Sequence, residues 1–345
     1  MFVYWTVYLV PAFLTLARLR MRTFGWLLLG LMLAGVIGLR YQVGTDWGNY
    51  VRGYFDPSAS MSLLDVAVSS DPAFVLLNWL ATHIGVGIWF VNLFTGTVFA
   101  TGLIRFVRRL PEPLLAFTAA IPYVGIVVAM NYTRQAVAIG FILWALPYLY
   151  DRRLARYLVF VFIAALFHKS AVIFLPLVAL ASNRNKLGLA LVALFSGVVG
   201  YFVLLSEYVN GLMNQYVQSD YSQASQGAPV RVAMDALPAV VLLLARHRLQ
   251  MHPVEQRVWL WISLVSVVAM ALVFRLPTAV DRVALYFAPI QFVLASYLPQ
   301  LTTSNSRVLV RLATVSVYAA VLYVWLNYAA NSYAWFPYQF YPFSG

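Results

Sequence analysis

The chain has 345 residues, of which 63% are hydrophobic, 16% aromatic and 10% charged. A soluble domain carries roughly 25% charge, so the composition excludes that class and fits a single integral membrane domain over residues 1–345. The formal net charge of +12 sits in small clusters between apolar runs, which is a topology signal and not a nucleic-acid one, and the absence of cysteine excludes disulfides, thiol nucleophiles and Cys-ligated metals.

In chain order, the apolar runs predict an all-α, polytopic fold. The run from Phe2 to Ala17 lacks a basic n-region and a small-residue cleavage site, so it reads as a retained span and not a signal peptide. Arg18, Arg20 and Arg22 follow, then Phe24–Leu39. Residues 40–83 are polar, aromatic and acidic, an interfacial segment in which 74–83 is amphipathic. Further runs are Ile84–Ile104, Leu114–Ala129, Gln135–Tyr150, Tyr157–Phe167, Ala171–Ala181 and Leu187–Ser206. The polar loop Glu207–Asp235 leads to Ala236–Ala245, Val258–Phe274, Val283–Leu298 and finally Leu312–Tyr328 with an uncharged aromatic tail.

Placing the basic clusters at 18–22, 105–109, 152–156, 184–186, 246–257 and 307–311 in the cytoplasm leaves Arg40, Arg52, Arg134, Lys169, Arg231, Arg275 and Arg282 outside. Most acids fall outside too, with Glu112, Asp151 and Glu255 inside. Tyr157–Phe167 and Ala171–Ala181 are each about 16 Å long as α-helix, half a bilayer, so they read as short or broken helices meeting at His168-Lys169-Ser170. The scheme gives about 12 membrane-spanning segments with both termini outside.

The outward charges are the functional candidates, because charge at a bilayer edge is costly. Arg40 and Asp46 abut the end of a span. Gly44 permits a turn with positive φ, and an in-plane helix starts near Asp46. At Asn131-Tyr132-Thr133-Arg134-Gln135 an apolar run turns round, and Thr133 is placed to cap the next helix, whose positive end favours an anion beside Arg134. Arg275 and the adjacent Asp281 and Arg282, themselves a possible ion pair, bracket Pro277 in another outer turn. The bland readings are an interfacial anchor at 40–56, a snorkelling Arg134 and a structural His168. Together the set suits a phosphate-rich anion, since arginine forks bind phosphate bidentately and stay charged. His83, His247 and His252 read as interfacial or solvated. No H-E-x-x-H, P-loop, G-x-G-x-x-G or metal-spaced acid pair occurs, and no cofactor is expected.

Five segments in this order resemble the EpsG-like, Wzy-type bacterial polysaccharide polymerases: Arg40-Tyr-Gln-Val-Gly44-Thr-Asp46-Trp-Gly-Asn-Tyr50, then Asp71-Pro72-Ala-Phe74, Asn131-Tyr-Thr-Arg134-Gln135, Phe167-His168-Lys169-Ser170, and Asp281-Arg282 through Tyr286, with Phe336-Pro337-Tyr338 at the end. The family often has Glu where this chain has Asp71, which leaves the role of that acid open. The resemblance implies a metal-independent glycosyltransferase at the outer face of the inner membrane, joining undecaprenyl-diphosphate-linked oligosaccharide repeat units of an O-antigen or exopolysaccharide.

On that resemblance, Arg134, Arg282, Arg40, Arg275 and Lys169 bind the diphosphate. Arg52, Tyr50, Gln135 and Tyr286 contact the glycan, with Trp47, Tyr54, Tyr216, Tyr221, Trp335 and Tyr338 offered as further sugar-stacking rings. His168 is the general base, its imidazole kept neutral by Lys169, and Asp46 is the rival base or an orienting acceptor. The expected partners are the lipid-linked donor, membrane lipid, and a chain-length regulator and flippase of the same pathway. The alternatives are an O-antigen ligase-like transferase using the same donor, a lipid-linked glycan transporter or flippase, and an acyltransferase with an intramembrane histidine.

Overall fold

A computed structural model describes residues 1–181 and 227–344. The predicted run Leu187–Ser206, its flanking Arg184 and Lys186, Tyr216, Tyr221 and the loop up to residue 226 lie outside the described residues. The other predicted apolar runs fall on helices, except that Val283–Leu298 is divided by a turn at 285–288: α1 Phe2–Leu16, α2 Thr23–Gly38, α3 47–58, α4 Leu63–Val68, α5 Pro72–Ile84, α6 Ile88–Val107, α7 Pro113–Asn131, α8 Thr133–Tyr150 and α9 Leu154–Phe167. After the 3₁₀ segment Lys169–Ala181 come α10 Ala228–Ala245, α11 Pro253–Leu272, α12 Pro277–Ala284, α13 Pro289–Leu301 and α14 Arg307–Tyr328. The protein is an all-α polytopic membrane protein.

Among the described residues, five helices, α6, α7, α10, α11 and α14, are long and apolar enough to cross a membrane. The pair α12 and α13, bent by 49°, makes a sixth. Five shorter apolar helices accompany them. Proline opens α5, α7, α11, α12 and α13. The first turn has no use for that N–H, and the ring presets a helical φ.

α7 is the central post, buried over 89% of its span. Its middle, Ile121–Val128, widens into a π-helical stretch beginning beside Pro122, where proline removes a donor and crowds the preceding turn. α8 packs along α6 through glycines and along α9 through aromatic rings, Phe141, Trp144 and Tyr148 meeting Phe160. A Cβ on Gly140 would lie 2.8 Å from Phe99 Cα, so only glycine lets the two backbones approach this closely. Gly140→Ala is therefore expected to lower stability by about 1–3 kcal/mol, read as a lower thermal midpoint in detergent. An unchanged midpoint would remove this glycine from the α6–α8 contact.

The two ends of the bundle differ. At one end Arg109 pairs with Asp151 at 2.8 Å and Arg311 with Glu112 at 2.5 Å, while Tyr297 donates to Glu255 at 3.0 Å. These three acids are the ones the charge pattern places inside. The opposite end carries the Arg40 loop, α3 to α5, the start of α8 and the end of α9.

The pair meeting at His168 differs from two short α-helices. α9 has 14 residues, whereas Lys169–Ala181 is a 13-residue 3₁₀ helix. At about 2.0 Å rise per residue the latter reaches roughly 26 Å, so stretching it recovers most of a bilayer crossing from a short run.

Candidate functional site

The site is built on breaks in helices. α2 ends at Gly38, and Arg40–Tyr41 forms strand β1, which pairs antiparallel with β2, Gln339–Phe340, in the register Arg40 to Phe340. The chain then turns at Gly44 (φ 100°), where a Cβ would lie 2.7 Å from the carbonyl oxygen of Met130. The Gly44 N–H donates to Ala334 O at 2.9 Å. Asn131, at the break between α7 and α8, accepts from Thr45 Oγ1 at 2.9 Å and from the Asp46 N–H at 3.2 Å through its Oδ1. The 40–46 loop is thus pinned over the start of α8.

At the centre stand Asp71, Arg134 and His168. Asp71 immediately precedes α5, yet its side chain does not cap that helix. Its carboxylate turns inward, 2% exposed, accepting from Arg134 NH1 at 2.5 Å and from the Lys169 N–H at 3.1 Å. The Arg134 guanidinium also lies 4.5 Å over the Tyr54 ring, and its backbone N–H reaches Tyr50 Oη at 3.4 Å. His168 leaves α9 in extended conformation and breaks the helix. Its Nδ1 stands 3.8 Å from Asp71 Oδ2, beyond hydrogen-bond reach, and its ring lies parallel to Tyr286 at 6.3 Å.

Among the described residues, Arg134 Nε, His168 Nδ1 and Tyr286 Oη are buried without a hydrogen-bond partner. Buried polar atoms are nearly always paired, so these three leave unused hydrogen-bonding capacity beside one carboxylate. Burial pushes the Asp71 carboxyl up, but His168, Arg134 and the Lys169 N–H outweigh it and hold the group below the ordinary carboxylate range. Burial raises Asp46 against the opposing pull of Asn49, Arg282 and Arg134. At the helix break, burial lowers His168 against the pull of Asp71, so the imidazole is neutral near pH 7. Burial, and not Lys169, is the main cause.

The other expected site residues divide. Tyr50 joins the cluster, packing on Tyr54 and Phe74. Tyr286 forms the floor under His168. Gln135 reaches across to α12, its Nε2 donating to Arg282 O at 2.6 Å. Arg282 is exposed at the same end, and its charge is felt at both Asp46 and His168.

The remaining expected residues are placed as follows. Arg40 is 1% exposed and donates to Thr133 Oγ1 at 2.9 Å and to the Ile37 carbonyl, so it stands in the floor of the site, with its Nε unpaired. Thr133 is the first residue of α8 and not its cap. Lys169 contributes its backbone N–H to the cluster while its side chain is exposed, and Arg275 is exposed in the turn before α12, outside the Asp71 cluster. Arg52 is also exposed, lying against Gly48. Asp281 pairs with Arg231, not with its neighbour Arg282. Trp335 is 1% exposed and its indole donates to Ile126 O at 3.3 Å, so no sugar can stack on it. Tyr338 Oη donates to Val36 O at 2.9 Å. Trp47 packs edge-on to Tyr41, 6.0 Å from the Arg40 guanidinium.

Asp71 is the residue that reading site chemistry from sequence undervalues. The available signal was an Asp-Pro pair at a helix start whose acid has an alternative partner.

Fold and site together define a helical membrane protein with a buried acid–arginine–histidine cluster at one end of its bundle. The chain belongs to the EpsG family, which it matches over residues 24–340, and is thereby a polysaccharide polymerase-like membrane protein. Comparison with curated proteins and with solved structures finds no match.

Proposed function

We propose that the protein is a glycosyltransferase that polymerises undecaprenyl-diphosphate-linked oligosaccharide repeat units at the outer face of the bacterial inner membrane, acting as one integral membrane domain. The observation that carries this reading is the Asp71–Arg134–His168 cluster. It puts a fixed cation and a neutral imidazole side by side at one end of the bundle, each with an unpaired polar atom.

The reaction needs both. A hydroxyl of the incoming unit attacks the anomeric carbon of the growing glycan, forming a C–O bond. The bond from that carbon to the diphosphate oxygen breaks, and undecaprenyl diphosphate leaves with the electron pair. Charge grows on the leaving group, so Arg134 and Arg282 stabilise the transition state more than the ground state. His168 takes the hydroxyl proton. Nδ1 faces Asp71 at 3.8 Å, too far for a hydrogen bond, so Asp71 acts on the imidazole through its charge, which strengthens it as a base, and Nε2 is the accepting atom. Asp46 at the loop edge holds a sugar hydroxyl. Tyr50 stands on the glycan side, with the buried Gln135 and Tyr286 supporting the site from beneath. Arginine side chains supply all the positive charge this mechanism requires.

Purified protein given a lipid-linked repeat unit is expected to form a ladder of lipid-linked oligomers. A single transfer to a different acceptor, with no ladder, would identify a ligase-like transferase instead. A reporter that is active only in the cytoplasm, fused after Gly345, is expected to stay dark. A bright fusion would invert the orientation.

A further inference from the structure

α12 is an eight-residue helix between the end of α11 and the 49° bend into α13. Its buried Val280 and Ala284 pack against Ala228 and Val232 of α10 and Ala269 and Val273 at the end of α11, an apolar contact that seats the helix but has no directionality. Two polar contacts add direction. Gln135 of α8 holds the Arg282 carbonyl at 2.6 Å. Arg231 of α10 grips Asp281 with both prongs, Nε to Oδ1 at 2.8 Å and NH2 to Oδ2 at 2.6 Å, and both side chains are largely buried at 16% and 7% exposure. The gripped residue directly precedes Arg282, which is exposed and whose charge is felt at Asp46 and His168.

We infer that Arg231 is a positioning residue: its bidentate grip on Asp281 sets the rotation of α12 and so aims the Arg282 guanidinium at the diphosphate of the donor. The inference rests on the proposed role of Arg282 above. Geometry makes the fork necessary. A single hydrogen bond lets a one-residue anchor pivot, whereas two parallel bonds to one carboxylate fix its plane. Successive helix residues are separated by about 100° of rotation, so the orientation fixed at 281 is transmitted to 282. A displacement of about 1 Å in a positioned charge is enough to lose a hundredfold in rate. Arg231 itself does not touch the Asp71 cluster, so any effect it has on ligand must pass through α12.

The test uses the full-length protein in lipid nanodiscs. Arg231→Lys keeps the charge and loses the fork. Amide hydrogen exchange over residues 277–284 is expected to speed up in this variant, with exchange over 88–107 unchanged. Affinity for undecaprenyl diphosphate is expected to fall about tenfold in Arg231→Lys, a shift of roughly 1.4 kcal/mol. In an Arg282→Ala background the same Arg231→Lys change is expected to add nothing further, because the residue it positions is gone. Asp281→Asn, which keeps the shape of the pair, is expected to behave like Arg231→Lys and serves if that variant folds poorly. Unchanged exchange over 277–284, or a tenfold loss that persists in the Arg282→Ala background, overturns the inference. Failure of the wild-type protein to bind undecaprenyl diphosphate would instead sink the functional reading, and the exchange result would still decide whether Arg231 fixes α12.

Discussion

Arg134→Lys is expected to give folded, membrane-inserted protein whose polymer-forming rate is lower by about 10²–10³-fold. The lysine keeps a positive charge near Asp71 but loses the planar fork, so it cannot hold Asp71 with one nitrogen and present others to a diphosphate. Arg134→Ala is the harsher change. It strands the 2%-exposed Asp71 carboxylate, and leaving a buried charge without its partner costs about 3–5 kcal/mol. Its loss of activity therefore mixes chemistry with folding, and Arg134→Lys is the cleaner probe. Asp71→Asn removes the charge that Arg134 answers and the acceptor that faces His168, and is expected to lose activity to a similar extent. Arg108→Ala, exposed at the opposite end of the bundle, is the control and should match wild type. Polymer ladders compared at equal protein level decide the matter, and wild-type ladders from Arg134→Lys would remove that side chain from the diphosphate site.

His168→Gln is expected to bind the lipid-linked donor normally and to transfer it about 10²–10⁴-fold more slowly. Glutamine keeps a hydrogen-bonding side chain but cannot take up a proton. The pH dependence has a definite sign. Burial lowers the His168 pKa, so the base is neutral at pH 7, and activity is expected to fall only as the pH drops below the ordinary histidine value of about 6.5. That acid limb should vanish in His168→Gln. Near-normal turnover in His168→Gln, together with an inactive Asp46→Asn that still binds donor, would pass the base role to Asp46. Activity in both variants would favour a transport role for the protein.

Helix positions were legible because a bilayer demands long apolar runs, and such runs have few other uses. The breaks at Asn131 and His168 were legible for the same reason: polar residues interrupt sequences that would otherwise continue. What those residues touch was not. Asp71 and Arg134 lie 63 positions apart, and Arg231 and Asp281 lie 50 apart. Local pattern carries no record of such pairings, so the sequence offers Asp281 no partner beyond the adjacent Arg282. Arg40 misled for a related reason. An arginine at a span end ordinarily faces water, and here the aromatic tail and the 40–46 loop close over it. The 3₁₀ form of Lys169–Ala181 was equally hidden, since its residues are common helix formers and only the need to cover distance stretches them.

The pairing of β1 with β2 sets the order in which this site is completed. Tyr338, beside β2, bonds to Val36, a separation of 302 residues. As the chain enters the membrane helix by helix, the Arg40 loop is among the first segments to emerge and its clasp is among the last. The loop therefore stays unfastened until residues 338–340 are made, after Asp71, Arg134, His168 and Arg282 are already in the chain. Closing so long a loop is costly in entropy and comes late. On the function proposed above, competence for glycan transfer then arrives as a final event, when the tail docks, and a chain halted after α14 is expected to hold its helices in the bilayer without acquiring it.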